Sequence, residues 1–155
     1  MPRIASEHRV VIARPVEVVF AYMQDLSREH EWQPSILEAR QLTAGPIQLG
    51  SHRRYVSLSF GRRIVSTYVV TAFHPNQQVV YETADDASIW SRWHITYAPL
   101  GETTEVAMRV EANISGFLRL LPTPVLTSTA SYELTATLRR LKTQLEQHRD
   151  TAPMP

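Results

Sequence analysis

Residues 91–114 read SRWHITYAPLGETTEVAMRVEANI, and their alternation decides the fold class. Trp93, Ile95 and Tyr97 alternate with Arg92, His94 and Thr96; further on, Val106, Met108, Val110 and Ala112 alternate with Glu105, Arg109 and Glu111. A period of two sends successive side chains to opposite faces of a strand, so each strand has one apolar and one wet face. Pro99-Leu100-Gly101 between them is turn chemistry. Such a pattern belongs to an antiparallel sheet covered on one side only.

Upstream of this hairpin, strand-like runs cover Ile36–Leu42, His52–Ser59, Arg62–Phe73, Gln78–Thr83 and Ile89–Tyr97, and Thr103–Ile114 follows. Gly45-Pro46, Phe60-Gly61, His74-Pro75-Asn76 and Asp85-Asp86 punctuate them. Glu7–Ala13 reads as a first strand. Pro15 then sits where a helix can begin, and Val16, Val19, Phe20 and Met23 recur at helical spacing to about Gln24. Asp25 and Ser27 are capping residues for a second short helical turn before Trp32, which Pro34 ends. Downstream, Thr123 fits an N-cap and Pro124 a first helical position, and Leu134, Leu138, Leu141 and Leu145 form one apolar stripe. A helix of roughly 25 residues is about 37 Å long, enough to cross a domain. The layout predicted is α+β: a curved antiparallel sheet of about seven strands wrapped around a long C-terminal helix.

Composition narrows the chemistry. The chain has 155 residues, 16 basic against 15 acidic, 43% hydrophobic residues and no Cys. That length fits one domain with a core of its own, here 1–155, with 148–155 expected as a flexible tail. Zero cysteine excludes thiol nucleophiles, thiolate metal sites and disulfides. Near-neutral charge argues against a nucleic-acid partner. The six His show no metal-binding spacing, and five scattered Gly build no phosphate loop, so no metal and no cofactor are expected. The polar start and the lack of any apolar run near ~20 residues predict a soluble cytoplasmic protein with no membrane insertion. A homodimer is compatible with all of this. Of the basic residues only Lys142 is Lys, an Arg-rich usage that points to a GC-rich bacterial genome.

From about Ser6 to Gln147 the chain resembles the START-like, or SRPBCC, superfamily with the helix-grip fold, and within it the polyketide cyclase/dehydrase-type proteins. The resemblance rests on residues 12–20 (IARPVEVVF), Asp25, Trp32 with Pro34, Gly50, residues 68–75 (YVVTAFHP), Ile114-Ser115-Gly116 and residues 138–142 (LRRLK). It implies a deep, mostly apolar cavity between sheet and C-terminal helix. Members bind lipids, sterols, quinones, hormones or polyketides there, and some catalyse cyclisation, dehydration or aromatisation. Similar aromatase/cyclases carry an interior arginine on the strand corresponding to 66–70, where this chain has none.

Hairpin geometry assigns the faces, because cross-strand partners share one. A two-residue turn at Phe60-Gly61 pairs Ser59 with Arg62, Ser57 with Ile64, Tyr55 with Ser66 and Arg53 with Tyr68. A four-residue loop at 74–77 then sets Val79, Tyr81 and Thr83 on the same side. Arg53, Tyr55, Ser57, Ser66, Tyr68 and Tyr81 would face inward beside Trp93, Ile95 and Met108. A three-residue turn would present Arg54, Val56 and Leu58 instead.

In the polar register, Arg53, Tyr55 and Tyr68 are the candidate catalytic group. The guanidinium would hold a developing oxyanion, and a tyrosine with its pKa lowered by that cation would move a proton. The bland alternative is that Arg53 pairs with a carboxylate and the tyrosines only pack. Candidate ligand contacts are Trp32, Ser66, Tyr81, Trp93, Ile95, Met108, Phe117, Leu121, Thr127 and Ser131, the last two extending the Leu134/Leu138 stripe backward.

Three functions follow. One is a cofactor-independent cyclase or dehydratase, a biosynthetic enzyme of lyase or isomerase type, acting on a small hydrophobic, oxygenated molecule. Another is a non-catalytic binder or carrier of a lipid- or quinone-like ligand. The third is a partner-binding module using the convex sheet face or the Phe117–Pro122 segment.

Overall fold

A computed structural model describes residues 3–59, 61–84 and 89–147, with the side chains of Ser59, Phe117 and Leu118 left aside. Phe60, the Asp85-Asp86 turn, the expected tail at 148–155 and the Phe117 side chain therefore lie outside the described residues.

Strand β1 (Arg3–Ile12) leads into α1 (Val16–Gln24), a 3-10 turn (Leu26–Arg28) and α2 (Glu29–Trp32). Six strands follow: β2 (Ile36–Gln41), β3 (His52–Ser59), β4 (Arg62–His74), β5 (Gln78–Thr83), β6 (Ile89–Leu100) and β7 (Thr103–Ile114). A 3-10 segment (Gly116–Leu120) and α3 (Thr123–Gln147) complete the described chain. The seven strands form one antiparallel sheet in the order β1-β7-β6-β5-β4-β3-β2. Only β1 is out of sequence order, pairing with the last strand, and the sheet curves around α3 as a START-like helix-grip fold.

Local chemistry explains most boundaries. Pro15 is the N-cap of α1, its carbonyl accepting from the Val18 and Val19 amides. Asp25 caps the 3-10 turn, its Oδ1 accepting from the Ser27 amide at 3.1 Å. Several details differ from expectation. Strand β6 runs past Tyr97 to Leu100, with Pro99 and Leu100 paired to Thr104 and Thr103, so the turn is Gly101-Glu102 alone. The first strand begins at Arg3, because residues 3–6 pair with Val110–Asn113 of β7. The long helix is capped one residue early, with the Pro122 carbonyl accepting from Val125 and Leu126. The loop after β4 has three residues, Pro75–Gln77, since His74 pairs with Gln78.

That shorter loop would have turned β5 over. A β-bulge between Val70 and Ala72 absorbs the extra residue and restores the Val70–Tyr81 and Tyr68–Thr83 pairs, so Tyr81 still faces inward. The β3–β4 hairpin adopts the two-residue turn: Arg53 pairs with Tyr68, Tyr55 with Ser66 and Ser57 with Ile64. Gly61 has φ +72°, the left-handed backbone such a turn favours. Of the rival face, Arg54 and Leu58 stay accessible and Val56 is buried.

Helix α3 buries Leu126, Leu134, Leu138, Leu141 and Leu145. The core gathers Ile12, Val19, Phe20, Met23, Val106 and Met108 under its C-terminal half. Around its N-terminal half the packing is thinner, with Ile4, Ala112, Ile114 and Leu126 as the buried set. On the convex face β1 and β7 carry an open ladder of Arg3–Glu111, Arg9–Glu105 and Arg109–Glu111 ion pairs.

Candidate functional site

Between the sheet and the N-terminal half of α3 lies a cavity of about 210 Å³. A single buried water needs only about 10–15 Å³ on that measure, so the space suits a guest molecule. Sheet residues Tyr55, Ser57, Ser66, Tyr68, Tyr81, Ser91 and Trp93 form one wall, and Leu126, Thr129, Ala130, Glu133, Leu134 and Thr137 of α3 the other. Ile4, Ile36, Ile89, Val110, Ala112 and Ile114 make most of the remaining lining apolar, with Gln33 and Ser35 as its polar members.

The tyrosines are organised by register. Tyr55, Tyr68 and Tyr81 come from three adjacent strands, with Tyr68 edge-on to Tyr55 at 5.5 Å and to Tyr81 at 5.4 Å between ring centroids. Tyr81 also stacks on Trp93 at 6.4 Å. The Tyr68 hydroxyl shares a 3.0 Å hydrogen bond with Ser91 Oγ. The sheet wall thus presents hydroxyl groups in an apolar frame, the usual design of a small-molecule site.

Arg53 sits behind this wall. It is 2% exposed, does not line the cavity, and lies under the Tyr81 ring with Cζ 5.8 Å from the centroid. Its Nη1 donates to the Tyr55 hydroxyl at 3.3 Å and its Nη2 to Gln24 Oε1 at 3.2 Å. Gln24 in turn donates to the Tyr97 hydroxyl at 3.1 Å. Glu29 of α2 is equally buried and accepts from Gln33 Nε2 at 2.9 Å. Burial pushes the Glu29 carboxyl up to about 8, although Arg53 and hydrogen bonds from Gln33 and Tyr55 pull the other way.

The tyrosine expectation reverses here. Burial pushes the Tyr55 hydroxyl up, Glu29 adds to this, and the opposing pull of Arg53 is smaller. Tyr81 is raised by burial in the same way. Both stay protonated near neutrality, so they serve as hydrogen-bond donors and not as titrating bases.

Of the residues singled out from sequence, Tyr55, Ser66, Tyr68, Tyr81 and Trp93 share the cavity wall. Trp32, Ile95 and Met108 lie in the packed core. Leu121 packs on the Ile4–Leu126 cluster beside the cavity. Thr127 and Ser131 are absent from the lining, and Ser131 instead bonds His8 Nε2 at 2.8 Å. The stripe of Leu134, Leu138, Leu141 and Leu145 is buried as expected, but its continuation toward the N-terminus runs through Ala130 and Leu126, not Ser131 and Thr127. Glu29, Gln33, Ser91 and Glu133 were missed. Glu29 hides in a charged run, Arg28-Glu29-His30-Glu31, that reads as surface. Glu133 had a signal, because Thr129, Glu133 and Thr137 make a polar i, i+4, i+8 row beside the leucines.

The sequence profile of the polyketide cyclase / dehydrase and lipid transport family matches residues 3–146, and the chain belongs to that family. No curated protein matches it by sequence. Among solved structures it is similar to a START superfamily protein from Mycobacterium smegmatis, with TM-score 0.79 and 19% identity over 92% of this chain and 97% of that one. The Zhui aromatase/cyclase from Streptomyces sp. R1128 superposes with TM-score 0.81 and 16% identity over 98% and 99% of the two chains. The di-domain aromatase/cyclase StfQ of the steffimycin biosynthetic pathway gives TM-score 0.75 and 15% identity, covering 96% of this chain and 52% of that one. At these identities the likeness concerns the fold. No helix among the described residues is long and apolar enough to cross a membrane.

Proposed function

We propose that the protein binds a small hydrophobic, oxygenated molecule in this cavity and acts on it as a cyclase or dehydratase of polyketide type, without a cofactor. The observation that carries the reading is the pair of tyrosine hydroxyls, Tyr68 and Tyr81, on one wall of a largely apolar space that Glu133 also lines, with Tyr55, whose hydroxyl bonds Glu29 and Arg53, packed beside them. Glu133 lines the cavity from α3 while staying open to solvent on its other side, and partial desolvation raises its carboxyl, which strengthens it as a base.

The chemistry these groups suit is an intramolecular aldol step. Glu133 takes a proton from the carbon beside a ketone, and the C–H electron pair moves onto the carbonyl oxygen as an enolate. The tyrosine hydroxyls hold that oxygen. The enolate carbon then attacks a second ketone of the same chain, and the new alkoxide recovers the proton from Glu133. Folding the chain against the aromatic wall supplies orientation. Arg53 contributes through Tyr55 as a positioning residue.

The test uses a synthetic poly-β-ketone thioester and mass spectrometry of the products. Cyclised product, followed by loss of water, should form with the wild type and drop at least tenfold in Glu133→Gln and Tyr81→Phe variants that keep their thermal stability. Equal turnover in all three proteins sinks the catalytic reading.

A carrier of a lipid- or quinone-like molecule is the second reading. It is favoured by the position of Arg53 outside the lining, which leaves no guanidinium N–H to bond a reacting oxygen directly. Native mass spectrometry would then retain a host-derived ligand that leaves unchanged.

A further inference from the structure

Three buried polar atoms among the described residues lack a hydrogen-bond partner: Glu29 Oε2, Trp32 Nε1 and Arg53 Nε. Glu29 and Trp32 sit one turn apart on α2, and Arg53 acts electrostatically on Glu29 from β3. Each side chain is no more than 2% exposed. The guanidinium is a permanent charge, and both of its hydrogen-bond partners, Tyr55 and Gln24, are neutral. It lies against the back of the two cavity residues that cover it, Tyr55 and Tyr81. A cation held in a low-dielectric interior projects its field into the adjoining apolar space.

We propose that the cavity selects an apolar molecule carrying an anionic oxygen, such as a carboxylate, sulfonate, phenolate or enolate, and that Glu29, beside Arg53, controls this preference. The inference rests on the cavity reading above and specifies its ligand class. With a neutral Glu29 carboxyl no buried carboxylate faces Arg53, and an anion held at the Tyr55–Tyr81 wall, across the cavity from Glu133 on α3, is stabilised. Once Glu29 ionises, the two charges cancel and the preference disappears. The groups facing Glu29 from neighbouring elements leave this balance in place. Asp25 raises its pKa further, Gln33 bonds it, and Tyr55, Tyr81 and Tyr97 are kept neutral by burial. Arg140 of α3 is engaged by the Glu31 carbonyl, Arg28 by the Glu31 carboxylate, and Glu38 of β2 by Arg54.

A matched pair of fluorescent probes tests it: anilinonaphthalenesulfonate, which is anionic at every pH used, and N-phenylnaphthylamine, the same skeleton without the sulfonate. Wild-type protein should bind the anion about tenfold less tightly at about pH 10 than at about pH 6, while the neutral probe binds equally at both. Glu29→Gln should hold the anion tightly across the whole range. Arg53→Gln should reduce the anion-to-neutral affinity ratio about tenfold at low pH. Arg53→Lys, which keeps the charge, should preserve the ratio, and it decides the matter if Arg53→Gln fails to fold. An unchanged pH profile in Glu29→Gln, or an unchanged ratio in Arg53→Gln, overturns the proposal. Failure of the neutral probe to bind overturns the cavity reading itself, a result distinct from loss of the anion preference alone.

Discussion

The two ends of the interior are built from the same sheet and the same helix, yet one is solid and the other hollow. Under the C-terminal half of α3, α1 lays Val19, Phe20 and Met23 onto the sheet, where they meet Tyr97, Val106 and Leu141. Phe20 packs edge-on to Tyr97 at 5.0 Å between centroids and 5.7 Å from Phe73. Under the N-terminal half no element among the described residues plays the part of α1, and many inward residues are small: Ser57, Ser66, Ser91, Ala112, Thr129 and Ala130. A cavity is missing side-chain volume, maintained because the solid end holds sheet and helix at a fixed spacing. Glu29 and Arg53 sit at the boundary, where aromatic packing gives way to open space.

The sharpest way to break this contrast is to hollow the solid end. Leu141→Ala should lower stability by about 2–5 kcal/mol in a denaturant titration, because Leu141 is fully buried and the site cannot collapse. A small loss would show that this end is not the anchor.

The boundary should respond to pH. The Glu29 carboxyl lies at about 8 in the folded protein against 4.5 as its ordinary value, so the native state binds more protons between those limits. Stability from this group is complete below the lower value and declines as pH rises through the upper one, by about 5 kcal/mol in all. Glu29→Gln should flatten that slope in pH-dependent unfolding; an identical slope would mean that the carboxyl titrates normally.

Filling the hollow end should do the opposite of Leu141→Ala. Ala130→Leu adds volume where space exists, so thermal stability should hold or rise while affinity for the neutral naphthylamine falls about tenfold or more. Tyr68→Phe removes one hydroxyl from the wall and should weaken an oxygenated ligand by about 1 kcal/mol in calorimetry. The smallest effect belongs outside both regions. Glu105→Gln breaks an open ion pair with Arg9, and the stability change should stay within about 1 kcal/mol and shrink with salt.

Much of the fold was legible because it is locally encoded. Alternation placed Trp93, Ile95 and Tyr97 on one face of β6, and Phe60-Gly61 set the β3–β4 register that turns Tyr55 and Tyr68 inward. Tyr81 came out on the correct face for an incomplete reason, since a shorter loop and a bulge at Thr71 compensate each other. The leucine stripe of the long helix was legible as far as Leu134, but its extension over the first turns passes through Leu126, a single position from Thr127. Glu29 stayed hidden because burial of a charge depends on partners far along the chain, here Arg53 and Tyr55 on β3.

By itself the sequence determined strands, turns, the closing helix and which tyrosines share a face, because periods of two and 3.6 and turn chemistry act over a few residues. By containing no cysteine it also excluded thiol nucleophiles, thiolate metal sites and disulfides. Only the tertiary structure decided where the interior is left unfilled, that Arg53 stands behind the wall, and that Glu29 is a raised acid beside it. Unfilled volume and desolvation are properties of surfaces brought together from distant parts of the chain, and no short-range pattern records them.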